Sequence, residues 1–205
     1  MKKKEVSIMK GLFIVIEGSN SSGKTTITKL ICQWLKKQKF SVVQTKEPTN
    51  TKIGRFCRSW ENKRFTFIRL CLLTGDRYFH LYREIIPNLR KGNIVVSDRY
   101  FVSSLVWQQI DGLPLGLICF LNAFILIPDL TIIIRASQET QRKRRRLKKG
   151  DLKDKEAQLE IDLYQQVVKY LCQQNHRICQ VDNNGKLDKT LGEIHGFIKE
   201  LIFIE

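Results

Sequence analysis

Residues 18–25 constrain the fold of this chain more than any other stretch, because they have the spacing G-x-x-x-x-G-K-T. A short apolar run, residues 12–16, precedes them, and apolar residues recur at helical spacing over residues 25–37. The segment therefore joins a strand to a helix, where glycines let backbone N–H groups turn toward an anion. A Gly/Ser-rich turn that binds nothing is the structural alternative. The pattern predicts a phosphate-binding loop made of Gly18, Ser19, Asn20, Ser21, Ser22, Gly23, Lys24, Thr25 and Thr26.

A second apolar run, residues 93–98, ends in Asp98 and is followed directly by Arg99. This pattern is typical of a parallel strand with a Mg²⁺-associated carboxylate at its carboxyl end. In the loop, Lys24 is suited to reach the β- and γ-phosphates of a nucleotide, and the Thr25 hydroxyl is suited to bind Mg²⁺. A carboxylate for a metal beside a guanidinium for a phosphate suits two anionic substrates around one ion. The alternative is an Asp98–Arg99 pair that only holds a loop.

The stretch at residues 39–45 predicts another strand, which Pro48 stops at Glu47. An acidic side chain just past the carboxyl end of a strand beside the loop strand points into the ligand crevice of an open α/β sheet. An ordinary turn carboxylate is the alternative. Further along, His80 has no Cys or His partner at metal spacing, which favours a packing or capping role over metal binding.

The rest of the chain continues to alternate strands and helices. Strands are predicted at residues 130–134 and 177–181, and helices from residue 72 to before Pro87 or to Lys91-Gly92, within a long apolar region at 105–126, and at 137–149, 157–173 and 187–201. Five strands in this order predict an α/β fold of P-loop NTPase type, with a five-stranded parallel sheet flanked by helices. The length of 205 residues fits a single domain, residues 1–205, with a basic N-terminal tail at residues 1–10.

The net charge of +16 is partly clustered at residues 142–146 and 148–149. Such a cluster indicates nucleic acid or a polyanionic small molecule as a partner. The alternative is that these residues only form a solvated helix face with no partner. A charged hinge that begins at Gly150 follows, so the sequence predicts a mobile basic lid at about residues 137–155. No RNA-binding aromatic motif accompanies the cluster, which disfavours nucleic acid.

Six cysteines lie scattered without a C-x-x-C pair or a secretory signal, which indicates reduced thiols packed as small apolar residues and a cytoplasmic protein. The apolar stretch at residues 113–130 is interrupted by polar residues and prolines, so a buried helix leading to a strand is favoured over a membrane span. The apolar surface of residues 105–126 exceeds what one amphipathic face needs, and a homodimer interface is one explanation.

Four motifs, in order along the chain, together resemble the thymidylate kinase family of nucleoside monophosphate kinases. Residues 17–26 are similar to its E-G-x-D-G-S-G-K-T-T loop, Glu47-Pro48 with Thr51 and Gly54 to E-P-G-G-T-x-x-G, Asp76-Arg77 with His80 to A-D-R-x-x-H, and Asp98-Arg99-Tyr100 with Ser103, Ser104 and Gln108 to D-R-Y-x-x-S-S-x-A-Y-Q. The resemblance implies transfer of the ATP γ-phosphoryl to dTMP, giving dTDP and ADP, with Mg²⁺ bridging the phosphates.

The resemblance also assigns residues to roles. Lys24, Arg99, Arg145 and Glu47 would be catalytic, Arg145 entering with the lid; Thr25 and Asp98 would hold the metal; and Glu47, Leu73, Arg77, Arg99, Ser104 and Gln108 would bind the acceptor nucleotide. Several residues depart from the family pattern. Asn20 stands for an Asp, Leu73 for a Phe that stacks on thymine, Trp107 for a Tyr, Arg135 for an acid and Thr49-Asn50 for Gly-Gly. These departures bear on thymine selectivity more than on phosphoryl transfer.

Two alternatives to this function stay open from the sequence. A kinase for another pyrimidine nucleotide or for a deoxynucleoside would use the same loop, Glu-Pro segment and basic lid. A catalytically weak nucleotide-binding or nucleic-acid-binding module would use the basic cluster at residues 142–149 to track phosphates.

Overall fold

The computed structural model describes residues 11–59, 65–146 and 154–203, with side chains except at positions 145, 146 and 154–156. The predicted tail at residues 1–10 lies outside this part of the chain. The described residues form one sheet of five parallel strands in the order β2-β3-β1-β4-β5. The strands are β1 (Phe13–Glu17), β2 (Val42–Lys46), β3 (Ile94–Asp98), β4 (Leu130–Arg135) and β5 (Ile178–Asp182). The predicted five-stranded parallel sheet is confirmed.

Helices cover both faces of this sheet. They are α1 (Lys24–Lys37), α2 (Lys52–Ser59), α3 (Thr66–His80), a π-helical turn at Leu81–Ile85, α4 (Ile86–Arg90), α5 (Phe101–Ile110), α6 (Leu115–Leu121), α7 (Gln138–Arg146), α8 (Asp154–Gln173) and α9 (Leu187–Phe203). The helical run from α3 through α4 ends before Gly92, the second of the two predicted ends. Pro87 falls in the first turn of α4, directly after the π-helical turn.

Strand β1 lies at the centre of the sheet, and all five of its residues are buried. Its alternate side chains point to opposite faces. Ile14 and Ile16 pack with α1 and α9, whereas Phe13 and Val15 pack with the opposite layer of helices. Burial on both faces explains why the first four residues of this strand are all apolar. The strand ends at Glu17, where the loop begins.

The long apolar region at residues 105–126, which was predicted to be helical, contains parts of two helices, α5 and α6, separated at residues 111–114. Helix α5 ends at Ile110, and Gly112 adopts φ of 85°, a left-handed value that favours glycine. The N–H of Leu113 donates to the carbonyl of Gln108 at 2.9 Å, and the N–H of Gly112 donates to that of Gln109 at 3.0 Å. This pair of hydrogen bonds closes the helix as a Schellman motif, and Pro114 then precedes α6.

All six cysteines are free, but the prediction that they pack as small apolar residues is wrong for Cys71 and Cys172, which are exposed. None of the helices in the described ranges is long and apolar enough to cross a membrane.

Candidate active site

Two glycines shape the segment between β1 and α1. Gly18 has φ of 140°, and a Cβ at this position would lie 2.3 Å from the carbonyl oxygen of Ile134. Gly23 has φ of 104° and caps the N-terminus of α1. Side chains are strained at both values, so the turn depends on glycine. It directs the chain into a helix N-terminus, where the helix dipole favours an anion.

Lys24 begins α1 and is folded back over the loop. Its Nζ donates to the carbonyl oxygen of Ser19 at 2.6 Å, and the side chain is buried. Burial, together with the neighbouring positive charge of Arg99, lowers the pKa of Lys24 to about 7, although the carboxylates of Glu160 and Asp98 oppose the shift. A bound polyphosphate would supply negative charge beside Lys24 and so stabilise the charged ammonium form.

Thr25 and Asp98 are brought together because β3 pairs with β1, with Ile16 in register with Asp98. The Thr25 hydroxyl donates to Oδ2 of Asp98 at 2.6 Å. A hydroxyl and a carboxylate are hard oxygen ligands of the kind that Mg²⁺ binds in phosphate sites, where one or two carboxylates suffice. The described residues hold no cluster of three or more His, Cys, Asp or Glu suited to a metal. This pair therefore fits a Mg²⁺ ion that takes its other ligands from substrate and water.

Arg99 follows Asp98 with a φ of 74° and turns toward the loop. Its Nη2 donates to Oδ1 of Asn20 at 2.7 Å, and its Nη1 donates to the Ser103 hydroxyl at 2.8 Å. Behind it lies Glu17, a fully buried carboxylate that accepts the N–H of Tyr100 at 2.7 Å and the Ser103 hydroxyl at 2.6 Å. Burial raises the pKa of Glu17, and the charge of Arg99 opposes the rise.

Glu17 and Glu160 are site residues that the sequence reasoning missed. Glu17 lies at the carboxyl end of a buried strand, and this position in the sequence could have indicated a site residue. Glu160 gave no such signal, because it lies in an ordinary amphipathic helix, α8. It is buried, and one of its oxygens accepts the N–H of Asn20 at 2.8 Å. A carboxylate therefore lies beside the loop although position 20 is an amide.

Glu47 is held by two partners from α3. Its Oε2 accepts the Nε–H of Arg77 at 2.8 Å, and its Oε1 lies 3.1 Å from Nδ1 of His80. The other ring nitrogen of His80 lies 2.6 Å from the Thr45 hydroxyl. The packing or capping role predicted for His80 takes the form of a buried ring that bridges Thr45 and Glu47. Glu47 is a fixed carboxylate at the end of β2 rather than a loose turn residue.

A cavity of about 340 Å³ lies between α3 and α5, and we call it the α3–α5 cavity. Its lining contains all six residues predicted for the acceptor nucleotide: Glu47, Leu73, Arg77, Arg99, Ser104 and Gln108. It also contains Asn20 and Trp107, which the resemblance marked as departures, and Arg69, which sequence reasoning missed.

A smaller cavity of about 190 Å³, the loop cavity, lies over the loop itself. Its lining contains Lys24, Thr25 and Asp98, and also Lys46, for which the sequence gave no signal. Asn20, Glu47 and Arg99 line both this cavity and the α3–α5 cavity. The two cavities therefore meet at these three residues.

The predicted lid is only partly within the described residues. Arg145 belongs to α7, but its side chain lies outside them, as do residues 147–153. Its neighbour Arg144 contacts the loop: Nη1 donates to the carbonyl of Ser22 at 2.8 Å, and Nη2 to the carbonyl of Asn183 at 2.7 Å. Arg144 and Asn183 border a further cavity of about 310 Å³, which is also lined by Ile27 and Leu187.

A parallel sheet whose central strand runs through a glycine-shaped loop into a helix, with Lys24, Thr25 and Asp98 at its carboxyl edge, defines a P-loop nucleotide-binding protein. A family model described as "Thymidylate kinase" matches residues 16–194. The chain belongs to the thymidylate kinase family.

Similar curated proteins carry the same name. The chain is 40% identical over 134 residues to a "Probable thymidylate kinase" of Pyrococcus abyssi, a match that covers 62% of this chain and 65% of that protein. A protein of that name from Thermococcus onnurineus is 40% identical over 134 residues, covering 60% and 65%. The match thus spans less than two thirds of these relatives. A third, from Methanococcus aeolicus, is 37% identical over 197 residues and covers 93% of each chain.

Proposed function

We propose that the protein transfers the γ-phosphoryl group of ATP to the 5′-phosphate of dTMP, giving dTDP and ADP. The observation that carries this proposal is the junction of the two cavities at Asn20, Glu47 and Arg99. A triphosphate bound over the loop and a monophosphate bound between α3 and α5 would have their phosphates adjacent there. Such a site catalyses by positioning and by charge stabilisation, without a covalent intermediate.

Five residues of the loop cavity have a definite part in this proposal: Asn20, Lys24, Thr25, Asp98 and Arg99. Lys24 would stabilise the charge on the phosphoryl group in flight, and Arg99 would hold the acceptor phosphate. Mg²⁺, held by Thr25 and Asp98, would neutralise charge on the β- and γ-phosphates when bound. Asn20 and Ser103 accept hydrogen bonds from the guanidinium of Arg99, so that its direction is set before substrate arrives.

The donor base would lie on the other side of the loop, in the cavity bordered by Arg144. Its apolar lining from Ile27 and Leu187 suits the face of a purine ring. Arg145 remains the predicted lid arginine. The contacts of Arg144 with the loop support a basic α7 that serves the nucleotide site, rather than one that tracks nucleic acid.

A homodimer also remains a prediction. It is supported by the exposed side chains of Phe120 and Phe124, which are 75% and 84% accessible. A cytoplasmic location likewise stays a prediction from the sequence.

The test of the proposed function is turnover with ATP, Mg²⁺ and a panel of acceptors: dTMP, dUMP, dCMP, thymidine and a purine monophosphate. We expect dTMP to give the highest kcat/KM. A higher value for dCMP would assign a different pyrimidine nucleotide kinase, and a higher value for thymidine would assign a deoxynucleoside kinase. Absence of turnover with every acceptor would contradict the proposal.

A further inference from the structure

We propose that Glu160, a buried carboxylate on α8, is a positioning residue for phosphoryl transfer: it holds Asn20 against Arg99 and supplies a negative charge that position 20 itself lacks. This inference rests on the proposed function, since it concerns the arginine that would hold the acceptor phosphate. Glu160 is in the lining of neither the loop cavity nor the α3–α5 cavity. It would therefore act through Asn20 and Arg99, which line both.

Glu160 lies on the buried face of α8. Only 1% of the residue is exposed, and Ala157, Tyr164 and Val167, which follow at helical spacing, are buried as well. A carboxylate is costly on such a face unless hydrogen bonds and positive charges compensate it. Groups that can compensate Glu160 lie in the phosphate-binding loop and at Arg99.

Two hydrogen bonds in series connect Glu160 to Arg99. One oxygen of Glu160 accepts the backbone N–H of Asn20 at 2.8 Å, and Oδ1 of Asn20 accepts an N–H from Nη2 of Arg99 at 2.7 Å. A second route runs through Tyr164, one turn further along α8. Its hydroxyl accepts an N–H from Nη1 of Arg99 at 3.3 Å. The direction of the guanidinium therefore depends on α8 as well as on the loop.

Glu160 also contributes charge to the transfer site. Burial and the neighbouring charge of Arg99 lower the pKa of Lys24, and Glu160 opposes this shift more strongly than any other nearby carboxylate. Burial raises the pKa of Glu17, which makes that residue a weaker counter-charge. The charge of Glu160 therefore acts on both cations, Lys24 and Arg99.

This arrangement predicts that the negative charge can be moved from position 160 to position 20. Asn20 is an amide and cannot ionise, but an aspartate of nearly the same shape would place a carboxylate oxygen on the same guanidinium. Glu160→Gln keeps an oxygen that can accept the N–H of Asn20, so it removes the charge and little else. Asn20→Asp should compensate for Glu160→Gln. In the presence of Glu160 it would instead place two carboxylates close together, which is unfavourable.

The kinetic test measures kcat and KM for dTMP, with saturating ATP and Mg²⁺, in the two single variants and the double variant. We expect Glu160→Gln to lower kcat by about tenfold and to raise KM for dTMP by about threefold, because a misdirected Arg99 stabilises the transition state less. Asn20→Asp alone should lower kcat by about threefold. The double variant should return to within about threefold of wild type, although independent effects would give a loss of about thirtyfold.

Thermal unfolding of the ligand-free proteins tests the charge balance without a substrate. Each single variant should lower Tm by about 2–6 °C, and the double variant should recover most of this loss. The matched control is Asp162→Asn, which removes an exposed carboxylate from the same helix. It should leave kcat, KM and Tm near the wild-type values, and it should not relieve the defect of Asn20→Asp.

A double variant that is as impaired in turnover as Glu160→Gln, or more so, would overturn the inference. Near-normal turnover of Glu160→Gln by itself would do the same. Recovery of Tm without recovery of kcat would show that Glu160 is structural only, and would also overturn it. All three outcomes leave the proposed function in place. Absence of turnover with every acceptor in the wild type would instead overturn the proposed function, and the positioning role with it.

Discussion

The loop cavity and the α3–α5 cavity are built in different ways. In the loop cavity, Lys24 bonds to Ser19, five residues away, within one continuous segment. In the α3–α5 cavity, Arg77 bonds to Glu47, Ser104 and Asn122, which are 30, 27 and 45 residues away. A site made by local backbone geometry can be recognised from a short motif. A site made by side chains from several elements is defined only after those elements have packed.

The two cavities also differ in how their charges are balanced. In the α3–α5 cavity, Glu47 and Asp111 neutralise Arg77 and Arg69 directly. In the loop cavity, burial of Lys24 lowers its pKa, and the nearby positive charge of Arg99 adds to this effect. We therefore expect substitutions in the loop cavity to act mainly on turnover, and substitutions in the α3–α5 cavity to act mainly on acceptor binding and selectivity.

The largest effect is expected at Lys24. Replacing it in Lys24→Met should lower kcat by about 10²–10³-fold or more, because the missing charge stabilises the transition state more than the bound substrate. Steady-state turnover with saturating ATP and dTMP is the measurement. Lys29→Met, an exposed lysine on the same helix, is the control. Near-normal turnover of a folded Lys24→Met protein would show that this lysine only orders the loop.

A somewhat smaller effect is expected from Asp98→Asn, which keeps the shape of the side chain but weakens a metal ligand. Turnover should fall by about a hundredfold, and the Mg²⁺ concentration needed for half-maximal rate should rise. A titration of rate against Mg²⁺ at saturating ATP separates the two effects. If only the melting temperature changes, the Thr25–Asp98 pair is structural.

A comparison of Asp98 with Glu17 shows which contacts of the site could be predicted from the sequence. Asp98 ends a buried strand, and β3 pairs with β1 in parallel, so its carboxylate had to lie at the same edge as the loop. Glu17 ends a similar strand, yet its contacts with Tyr100 and Ser103 span 83 and 86 residues and follow from the arrangement of α5. The end of helix α5 at Gly112 was predictable from the sequence, because a glycine followed two residues later by Pro114 is a local signal for a helix end.

The pair of Arg69 with Asp111 was beyond prediction for a physical reason. From the sequence, each residue on its own is expected to be an ordinary surface charge, because exposed arginines and aspartates are common on helices and at helix ends. Their contact depends on the antiparallel packing of α3 and α5, which is set by buried residues elsewhere. The lining of the α3–α5 cavity was therefore predicted only where the family resemblance supplied positions.

The central carboxylate of the α3–α5 cavity gives the next test. Glu47→Gln should raise KM for dTMP about tenfold or more and lower the free energy of unfolding by about 1–3 kcal/mol, because Arg77 and His80 lose a charged acceptor. Kinetics and denaturant unfolding measure the two effects. The control is Glu84→Gln: Glu84 lies 3.5 Å from the same histidine but is 44% exposed, so little change is expected. Equal effects from both variants would contradict a special role for Glu47.

The low pKa of Lys24 predicts proton uptake on nucleotide binding. The ligand-free side chain, with a pKa of about 7, is mostly neutral at pH 8, whereas a bound polyphosphate favours the charged form. ATP binding at pH 8 should therefore take up a proton, and affinity should weaken by up to about tenfold per pH unit above pH 7. Calorimetry in buffers of different ionisation enthalpy detects the uptake. Lys24→Met should abolish it, and dTMP binding should show much less.

The smallest effect is expected from Leu73→Phe, which adds an aromatic face to the lining of the α3–α5 cavity. Offset stacking on a pyrimidine ring contributes about 0.5–1.5 kcal/mol, so binding of dTMP should tighten by about two- to tenfold. Stacking reads the face of the ring rather than its edge. The affinity for dCMP should therefore tighten by a similar factor, and the dTMP to dCMP ratio should stay constant. Leu72→Phe, half-buried but outside the lining, is the control for added bulk in α3. Weaker binding of both nucleotides in Leu73→Phe, but not in Leu72→Phe, would mean that the base already fills the cavity beside Leu73 and Trp107. The shape of the site would then be adapted to Leu73, without room for an aromatic ring.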